Sequence, residues 1–279
     1  MIVTIAIDSW KGCLDSLEAA RAIEAGLRRV CPELEARLSP LADGGEGTTA
    51  ALCTPEERIT CTVTGPLGDP VQAEYGIRRA TGTAVLEMAS AAGLPLVPPD
   101  RRDPLHTTTR GVGELIADAL ERGCRNFLVG IGGSATNDGG AGMLAALGCG
   151  AAGGLGFGFA AFLGAELRPG AAIVLEETGL AGLLPGSDLC FTGEGQFDCQ
   201  TSMGKAPAAV ARLARVHGVP VLALAGSVQP DAPLGEMNAV FPVLRTPMTL
   251  TEAMDPDTAR RNIAAAAEQI LRLWQAARR

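Results

Sequence analysis

Four short segments of this sequence combine glycine with acidic, hydroxyl-bearing and lysine side chains. They are Asp8–Gly12, Ala42–Thr48, Gly130–Gly140 and Thr192–Asp198, the last followed by Gly204 and Lys205. Glycine alone can serve a turn, and Asp or Ser alone can cap the next helix. Capping explains neither the lysines nor the surplus of acids. We therefore interpret the four segments as candidate ligand-binding loops.

The residue types in these loops suit phosphate chemistry. Backbone N–H groups of glycine-rich loops cradle phosphate oxygens, a lysine offsets charge on a transferring group, and carboxylates hold Mg²⁺. A P-loop is excluded, because Gly204-Lys205 is followed by Ala206 and not by Ser or Thr. The pattern G-x-G-x-x-A starts at Gly45, Gly130 and Gly140, but no acid follows the Gly130 copy at the distance that a ribose needs. A dehydrogenase remains a weaker alternative.

Apolar runs of strand length alternate with helical patterns and indicate which elements position the loops. The strand candidates are Ile2–Ile7, Glu35–Leu41, Asn126–Ile131, Leu189–Thr192, Val219–Ala225 and Ala239–Val243. The helix candidates are Ser16–Val30, Gly111–Glu121, Lys205–His217 and a C-terminal helix from about Asp257. Continuous hydrophobicity is typical of strands buried on both faces. The sequence therefore predicts an α/β fold: an open, mostly parallel, Rossmann-like sheet flanked by helices, with the loops at the carboxyl ends of its strands.

The segment from Arg58 to Pro104 departs from this alternation. It contains three short strand-like pieces, Thr60–Thr64, Val71–Arg78 and Thr83–Met88, and a Gly/Pro-rich turn after the first. We interpret it as a smaller, shortened α+β domain, residues 58–104, inserted into a discontinuous main domain of residues 1–57 and 105–279. A large edge hairpin of a single domain is the alternative.

Composition narrows the class of protein further. The net charge of −8 argues against a nucleic-acid binder, which needs clustered Lys and Arg. The eight cysteines show no C-x-x-C spacing, so neither a zinc site nor a disulfide framework is indicated. We expect no membrane association, because the longest apolar stretch is too short to span a bilayer. The chain opens directly on a strand pattern without a signal peptide, which predicts a cytoplasmic protein.

The same loops resemble, in order, motifs of the glycerate kinase type I family. Asp8–Gly12 is similar to its D-S-F-K-G, Ala42–Thr48 to A-D-G-G-E-G-T, and Ile131–Met143 to I-G-G-S-A-T-N-D-G-G-A-G-M. Thr108–Ile116 resembles its T-x-G-x-G-E-L-I helix entry, Thr192–Pro207 its T-G-E-G-x-x-D-x-Q-T-x-x-G-K-A-P, and Ala225–Val228 its A-G-S-V. The resemblance runs from near the first residue to about residue 245.

This resemblance implies ATP-dependent, Mg²⁺-requiring phosphorylation of D-glycerate, usually to 2-phosphoglycerate. It also implies roles for individual residues. The catalytic residues would be Lys11, Asp43, Asp198 and Lys205, with the general base open between the two aspartates. Phosphate would be bound by Ser9, Gly44, Gly45, Gly132, Gly133, Ser134, Thr136, Asn137, Gly139, Gly140 and Gly193. Arg110 would grip the glycerate carboxylate, and Glu46, Asp138 and Glu194 would hold the metal.

One departure from the family pattern is large. Family members carry roughly a hundred residues after the A-G-M helix, the size of a small domain, whereas here Cys149 runs straight into the far side of that segment. The leading hypothesis is an active glycerate kinase. The alternatives are a catalytically impaired remnant that binds a nucleotide or a hydroxy acid, and a kinase for a related sugar acid. A homodimer is an open possibility.

Overall fold

The structure is a computed structural model that describes residues 1–147, 159, 163–201 and 205–278. Gly204 of the fourth loop and the junction after Cys149 lie outside the described residues. The chain divides into two compact units. Unit 1 consists of Met1–Asp43 and Ala171–Arg279, and unit 2 of Gly44–Gly170.

Unit 1 contains a five-stranded sheet in which every neighbouring pair is parallel. Its strands are β1 (Ile2–Ile7), β2 (Glu35–Pro40), β7 (Leu189–Phe197), β8 (Val221–Val228) and β9 (Ala239–Pro242), in the order β2-β1-β7-β8-β9. Its helices are α1 (Ser16–Arg28), α7 (Leu180–Leu183), α8 (Ala206–Val216), α9 (Leu250–Ala253) and α10 (Pro256–Ala276); α6 (Gly170–Glu177) begins at the boundary between the units. The predicted open, parallel α/β sheet is confirmed.

Local signals explain where the first helix begins and how it packs. Asp15 caps α1 and forms a capping box with Glu18, as the spacing of the two residues indicates. Helix α1 packs against α10, and the contact is closest at Gly26, where a Cβ would lie 2.0 Å from the carbonyl oxygen of Ala264. Any side chain at that position would force the two helices apart.

Unit 2 contains the second, mixed sheet, in the order β3-β4-β5-β6. Strands β3 (Arg58–Thr64), β4 (Pro70–Arg78) and β5 (Thr83–Glu87) are antiparallel, and β6 (Asn126–Gly130) joins β5 in parallel. The helices of this unit are α2 (Thr48–Leu52), α3 (Met88–Ala92), α4 (Arg110–Glu121) and α5 (Ala141–Ala146). Tyr75, Leu86, Met88, Leu115 and Met143 are fully buried in its core.

The boundaries of the units differ from the predicted ones. The three strands expected in residues 58–104 are present, but unit 2 is larger than that range and also takes in β6, which we had assigned to the main sheet. An apolar strand is buried in either sheet, so the pattern of β6 does not reveal its partner. Its partner is β5, reached through α4, so the excursion from the first sheet extends well beyond Pro104.

No helix in the described part of the chain is long and apolar enough to cross a membrane. The seven cysteines that the structure describes are free thiols. Within the same residues, no three His, Cys, Asp or Glu side chains come together in an arrangement that could hold a metal ion by themselves.

Candidate active site

The order of the strands in unit 1 locates a binding crevice. Strand β1 leads through α1 to β2 on one side, whereas β7 leads to β8 and β9 on the other, so the sheet reverses its order between β1 and β7. Ligands of open α/β sheets bind outside the carboxyl ends of the strands at such a point. Here the backbone N–H of Asp8 donates to the carbonyl of Gly193 at 3.2 Å and joins the two strand ends.

A cavity of about 550 Å³ opens at this edge of the sheet. It is lined by residues that follow β1, β2 and β9, by residues in the last part of β7 and β8 or just after β7, and by residues of α9 and α10. Six of the predicted site residues line it: Ser9, Lys11, Asp43, Glu194, Asp198 and Lys205. Gly193 does not line it. A Cβ there would lie 2.1 Å from the carbonyl oxygen of Leu224, so its role is to let β7 approach β8.

One side of the cavity is built around Lys205, just before α8. Its Nζ lies 3.1 Å from Oε2 of Glu194 and 3.8 Å from Oδ1 of Asp198. Burial alone would lower the pKa of Lys205, but the charge of Glu194 and a hydrogen bond to it, with Asp198, raise that pKa. Burial raises the pKa of Glu194, against the opposing effects of Thr201 and Lys205.

Thr201 connects the carboxylate of Glu194 to the backbone at Asp198. Its hydroxyl donates to Oε1 of Glu194 at 2.6 Å and accepts the backbone N–H of Asp198 at 3.1 Å. Thr201 is fully buried, and its side chain therefore orients the carboxylate of Glu194 and fixes the backbone from which the side chain of Asp198 extends. We had not assigned Thr201 a role, although it belongs to the fourth motif.

The other side of the cavity is built on the loop after β1. Nζ of Lys11 lies 3.6 Å from Oδ2 of Asp43, and the lysine side chain is half exposed. Asp8 is buried, and the hydrogen bond to its carboxylate within the described residues comes from the N–H of Ser9 at 2.6 Å. Burial first, and then the charge of Asp43, raise the pKa of Asp8 to about 7.

Asp8 is not among the predicted site residues, although the first candidate loop, Asp8–Gly12, contains it. The available signal was its position directly after a buried strand. Two further groups of this loop, Oγ of Ser9 and Nε1 of Trp10, are buried without a hydrogen-bond partner among the described residues. Buried polar groups normally find a partner, which is consistent with a ligand at this loop.

The same cavity also has a set of apolar lining residues, which no motif indicated. We call this surface the apolar wall and define it by Trp10, Cys13, Val243, Leu244, Leu250 and Met254. Trp10 and Val243 are buried, whereas Leu244, Leu250 and Met254 are exposed at the rim.

In unit 2, the structure brings together the glycine-rich parts of the second and third loops. The N–H of Gly132 donates to the carbonyl of Gly44 at 3.2 Å. A Cβ at Gly130 would lie 2.5 Å from that carbonyl oxygen, and one at Gly132 would lie 2.9 Å from Cα of Gly45. These glycines therefore allow two backbones to touch, which is a structural reason for their presence.

The polar side chains of the Gly130–Gly140 loop are engaged within unit 2. The carboxylate of Asp138 accepts the N–H groups of Thr109, Gly140 and Gly142 at 2.8, 2.9 and 3.1 Å, and the Thr109 hydroxyl at 3.0 Å. Oγ of Ser134 accepts the N–H of Thr136. The contacts of Asp138 join the start of α4 to the start of α5 and give it a structural role, so they do not support its predicted role as a metal ligand.

The remaining predicted residues of unit 2 have varied surroundings. Gly133, Gly139 and Gly140 have φ values of +74° to +76°, and the N–H of Asn137 donates to the carbonyl of Pro104 at 2.8 Å. Glu46 is exposed to solvent. Arg110 is half exposed, and its Nε donates to Glu114 at 2.9 Å.

Comparison with known proteins agrees with the fold and the loops. The sequence model of the glycerate kinase family matches residues 3–149 and 148–275. The glycerate kinase of Halalkalibacterium halodurans is 36% identical over an alignment that covers 94% of this chain and 97% of that protein. The glycerate 2-kinase of Escherichia coli K12 is 35% identical, with coverages of 95% and 97%.

A solved structure extends the agreement to three dimensions. The crystal structure of a Salmonella typhimurium LT2 protein assigned as glycerate kinase 2 superposes with a TM-score of 0.83 at 33% identity, covering 100% of this chain and 99% of that one. The fold, the cavity and these relatives define the class: the protein is an α/β enzyme, a kinase. The chain belongs to the glycerate kinase family.

The alignments also locate the shortened region. The alignment with the H. halodurans enzyme extends over 368 positions, although this chain has only 279 residues. A long stretch of that relative therefore has no counterpart here. The two matches to the family meet at residues 148–149, the position at which the sequence analysis expected the missing segment.

Proposed function

We propose that the protein transfers the γ-phosphoryl group of ATP to a hydroxyl of glycerate, with 2-phosphoglycerate as the product. One observation supports this most: the chain contains only two lysines, and both line the cavity at the switch point of the parallel sheet. Lysines paired with carboxylates at such a position suit the charge that moves during phosphoryl transfer. The names of the relatives supply the substrate class.

The proposed reaction forms one bond and breaks one. The glycerate hydroxyl oxygen attacks the γ-phosphorus, the bond from that phosphorus to the bridging oxygen breaks, and ADP leaves. The hydroxyl proton must pass to a base. Asp8 suits this role better than Asp43 or Asp198, because each of those two already faces a lysine. A carboxylate with a pKa of about 7 can accept a proton near neutral pH.

The carboxylates of the cavity fit the Mg²⁺ that this family implies. Mg²⁺ is usually bound by one or two carboxylates, several waters and the phosphates of the substrate, so it does not need a cage of three acids. Of the predicted ligands Glu46, Asp138 and Glu194, only Glu194 lines the cavity, together with Asp198. These two would hold the ion, and the ion would offset the charge of the triphosphate.

Lys11 and Lys205 would contact the phosphates, and Ser9 would supply its free hydroxyl. The Gly132–Gly140 loop, Gly44, Gly45 and Arg110 stay proposed contributors to substrate binding from unit 2, with Arg110 exchanging Glu114 for the glycerate carboxylate. The cytoplasmic location and the homodimer stay predictions as well.

An ADP-release assay with a panel of hydroxy acids tests this function, combined with ³¹P NMR of the product. We expect turnover with D-glycerate and a phosphorus signal coupled to the proton on C2. The matched control is Lys205→Ala, which should fold and lose turnover. No ADP release with any hydroxy acid, from protein that is folded and supplied with Mg²⁺, would reject the proposal.

The shortened region favours a second candidate, an enzyme that binds nucleotide but closes poorly over glycerate. A lid that excludes water is often needed to complete a kinase site. In this case the affinity for a nonhydrolysable ATP analogue would persist, while the KM for glycerate would rise and some ATP would be hydrolysed without glycerate. Calorimetry beside steady-state kinetics separates the two candidates.

A further inference from the structure

The lining of the cavity in unit 1 combines two chemically different groups of residues. One group is Lys11 and Lys205 with their partner carboxylates, and the other is the apolar wall. Its volume of about 550 Å³ lies within the range of pockets that hold ligands larger than a three-carbon acid. Glycerate bears a polar group on every carbon and would leave the apolar wall without a partner.

Three residues of the apolar wall are exposed to solvent. Leu244, Leu250 and Met254 are 39%, 78% and 37% exposed, and all three line the same cavity. Exposed apolar side chains that gather around a pocket mark a site for an apolar ligand surface. The wall is also continuous with the charged loop, because the Cε of Met254 lies 3.5 Å from the position of a Cβ on Gly12.

Trp10 adds an aromatic face and an unused donor to this wall. Its indole is 6% exposed, its Nε1 has no hydrogen-bond partner among the described residues, and it lines the cavity. An indole N–H is a donor only, so an acceptor such as a ring nitrogen or a ribose hydroxyl would satisfy it. The indole lies against β8, since a Cβ at Gly226 would be in ordinary van der Waals contact with Cζ3 of Trp10, at 3.6 Å.

We propose that the apolar wall is the nucleobase subsite of this enzyme and binds the purine of ATP, with the phosphates directed toward Lys11 and Lys205. A purine has two apolar faces and a polar edge, which matches an apolar surface next to unused polar groups. Asn262 also lines the cavity, and its Nδ2 makes a weak hydrogen bond to Sδ of Met248 at 4.0 Å. Its amide is therefore available to the edge of the base. The inference rests on the proposed use of ATP.

Two exposed residues of the wall allow a test that does not threaten folding. For Leu250→Ala and Met254→Ala we expect the KM for ATP to rise roughly 5- to 20-fold, as lost apolar contacts in a pocket usually cost. The KM for glycerate and kcat should stay unchanged. The control is Leu273→Ala, because Leu273 is also an exposed leucine, at 63%, and lies elsewhere, on α10.

Binding of adenosine supplies a readout that needs no kinase activity. The chain has two tryptophans, so Trp274→Phe leaves Trp10 as the only indole. Adenosine should change the fluorescence of this variant in a saturable way, and Met254→Ala should weaken that binding. A saturable change in a protein that phosphorylates no hydroxy acid would reject the proposed function and retain the subsite. The absence of any change with adenosine or MgADP would overturn the subsite, and so would an unaltered affinity in the Met254→Ala background.

Discussion

The cavity of unit 1 and the glycine-rich loop of unit 2 use similar residues in opposite ways. In the Gly130–Gly140 loop, the carboxylate of Asp138 is surrounded by backbone donors of its own unit. In the loop after β1, Asp8 accepts one short hydrogen bond, and the buried hydroxyl of Ser9 has no partner within the described residues. The first arrangement stabilises a fold, whereas the second is left open for a ligand.

A motif that identifies the family is therefore not necessarily a motif that binds the ligand. The stretch Ile131–Gly142 is the most specific sign of the family, yet the contacts of Asp138 explain it in large part as a structural joint. The charged residues that line the cavity come from the other motifs, at Asp8–Gly12, Ala42–Thr48 and Thr192–Pro207. The predictions that follow test whether this contrast between an open site and a satisfied joint holds in solution.

The largest effect is expected at the two lysines. Lys205→Ala should lower kcat and kcat/KM together by roughly 100- to 1,000-fold, as loss of one group that stabilises transition-state charge typically does. Lys11→Ala should act in the same direction. Steady-state kinetics measure the change, and thermal unfolding should show little loss of stability, because both side chains are partly exposed.

A surface variant controls for the loss of a positive charge. Arg272 pairs with Glu268 on the exposed side of α10 at 3.0 Å, and Arg272→Ala should leave turnover unchanged. Wild-type rates in both lysine variants would show that the cavity of unit 1 is not the catalytic site. The contrast between this cavity and the loop of unit 2 would then have no functional basis.

The next effect concerns Asp8 as the proposed base. Asp8→Asn should lower kcat roughly 100-fold or more, the usual contribution of a general base. In the wild type, kcat/KM should fall as the pH drops below about 7, since Asp8 then becomes protonated. The neighbouring charges that tune this pKa are Asp43, Lys11 and Glu194. If kcat/KM of Asp8→Asn still falls below pH 7 as it does in the wild type, the group that titrates is not Asp8.

The same substitution has an opposite effect on stability. The pKa of Asp8 is raised in the folded state from 3.8 to about 7, so folding favours its protonated form. Because the unfolded chain loses this proton at a lower pH than the folded protein does, stability falls progressively between about pH 4 and pH 7, by an amount on the order of 4 kcal/mol. Asp8→Asn should unfold at a higher temperature than the wild type at pH 8 and show a smaller gain at pH 5.

Much of the fold could be predicted from the sequence, and the reasons are local. The apolar run Ile2–Ile7 and the capping pair Asp15 and Glu18 define β1 and the start of α1 by themselves. The membership of β6 could not be predicted, because a strand buried on both faces reads alike in either sheet. The pairing of β6 with β5 is set by tertiary structure.

The candidate site was predictable in its charged residues and not in its other features. Lys11 and Lys205 stand out by type and position. The altered pKa of Asp8 depends on burial and on the nearby Asp43, which lies 35 residues later in the chain. The apolar wall combines Trp10 with residues of the loop after β9 and of α9. Residue type alone does not distinguish these side chains from ordinary core residues.

A smaller effect is expected at Thr201, which holds Glu194 and Asp198 in place. Thr201→Val keeps the shape but removes the hydroxyl, so we expect kcat to fall about tenfold with little change in the KM for ATP. The N–H of Asp198 would also lose its acceptor, at a cost of about 1–3 kcal/mol. Thr201→Ser restores the hydroxyl and should recover turnover. If Thr201→Ser loses turnover as Thr201→Val does, the methyl group of Thr201 matters and not its hydroxyl.

The smallest effect on catalysis is expected at Asp138, the joint of unit 2. In Asp138→Asn the amide keeps one acceptor oxygen but turns an NH₂ group toward N–H donors, whichever way it is oriented. Both carboxylate oxygens currently accept backbone N–H groups, Oδ1 from Gly140 and Oδ2 from Thr109 and Gly142. The variant should therefore lose about 2–4 kcal/mol of stability, measured by urea unfolding. Its kcat and its Mg²⁺ requirement should be unchanged at a temperature where it is folded.

The control is Glu46→Gln, at an exposed acid, which should alter neither kcat nor the Mg²⁺ requirement. If Asp138→Asn instead raised the Mg²⁺ requirement at full stability, Asp138 would be a metal ligand after all, and the third loop would belong to the open site.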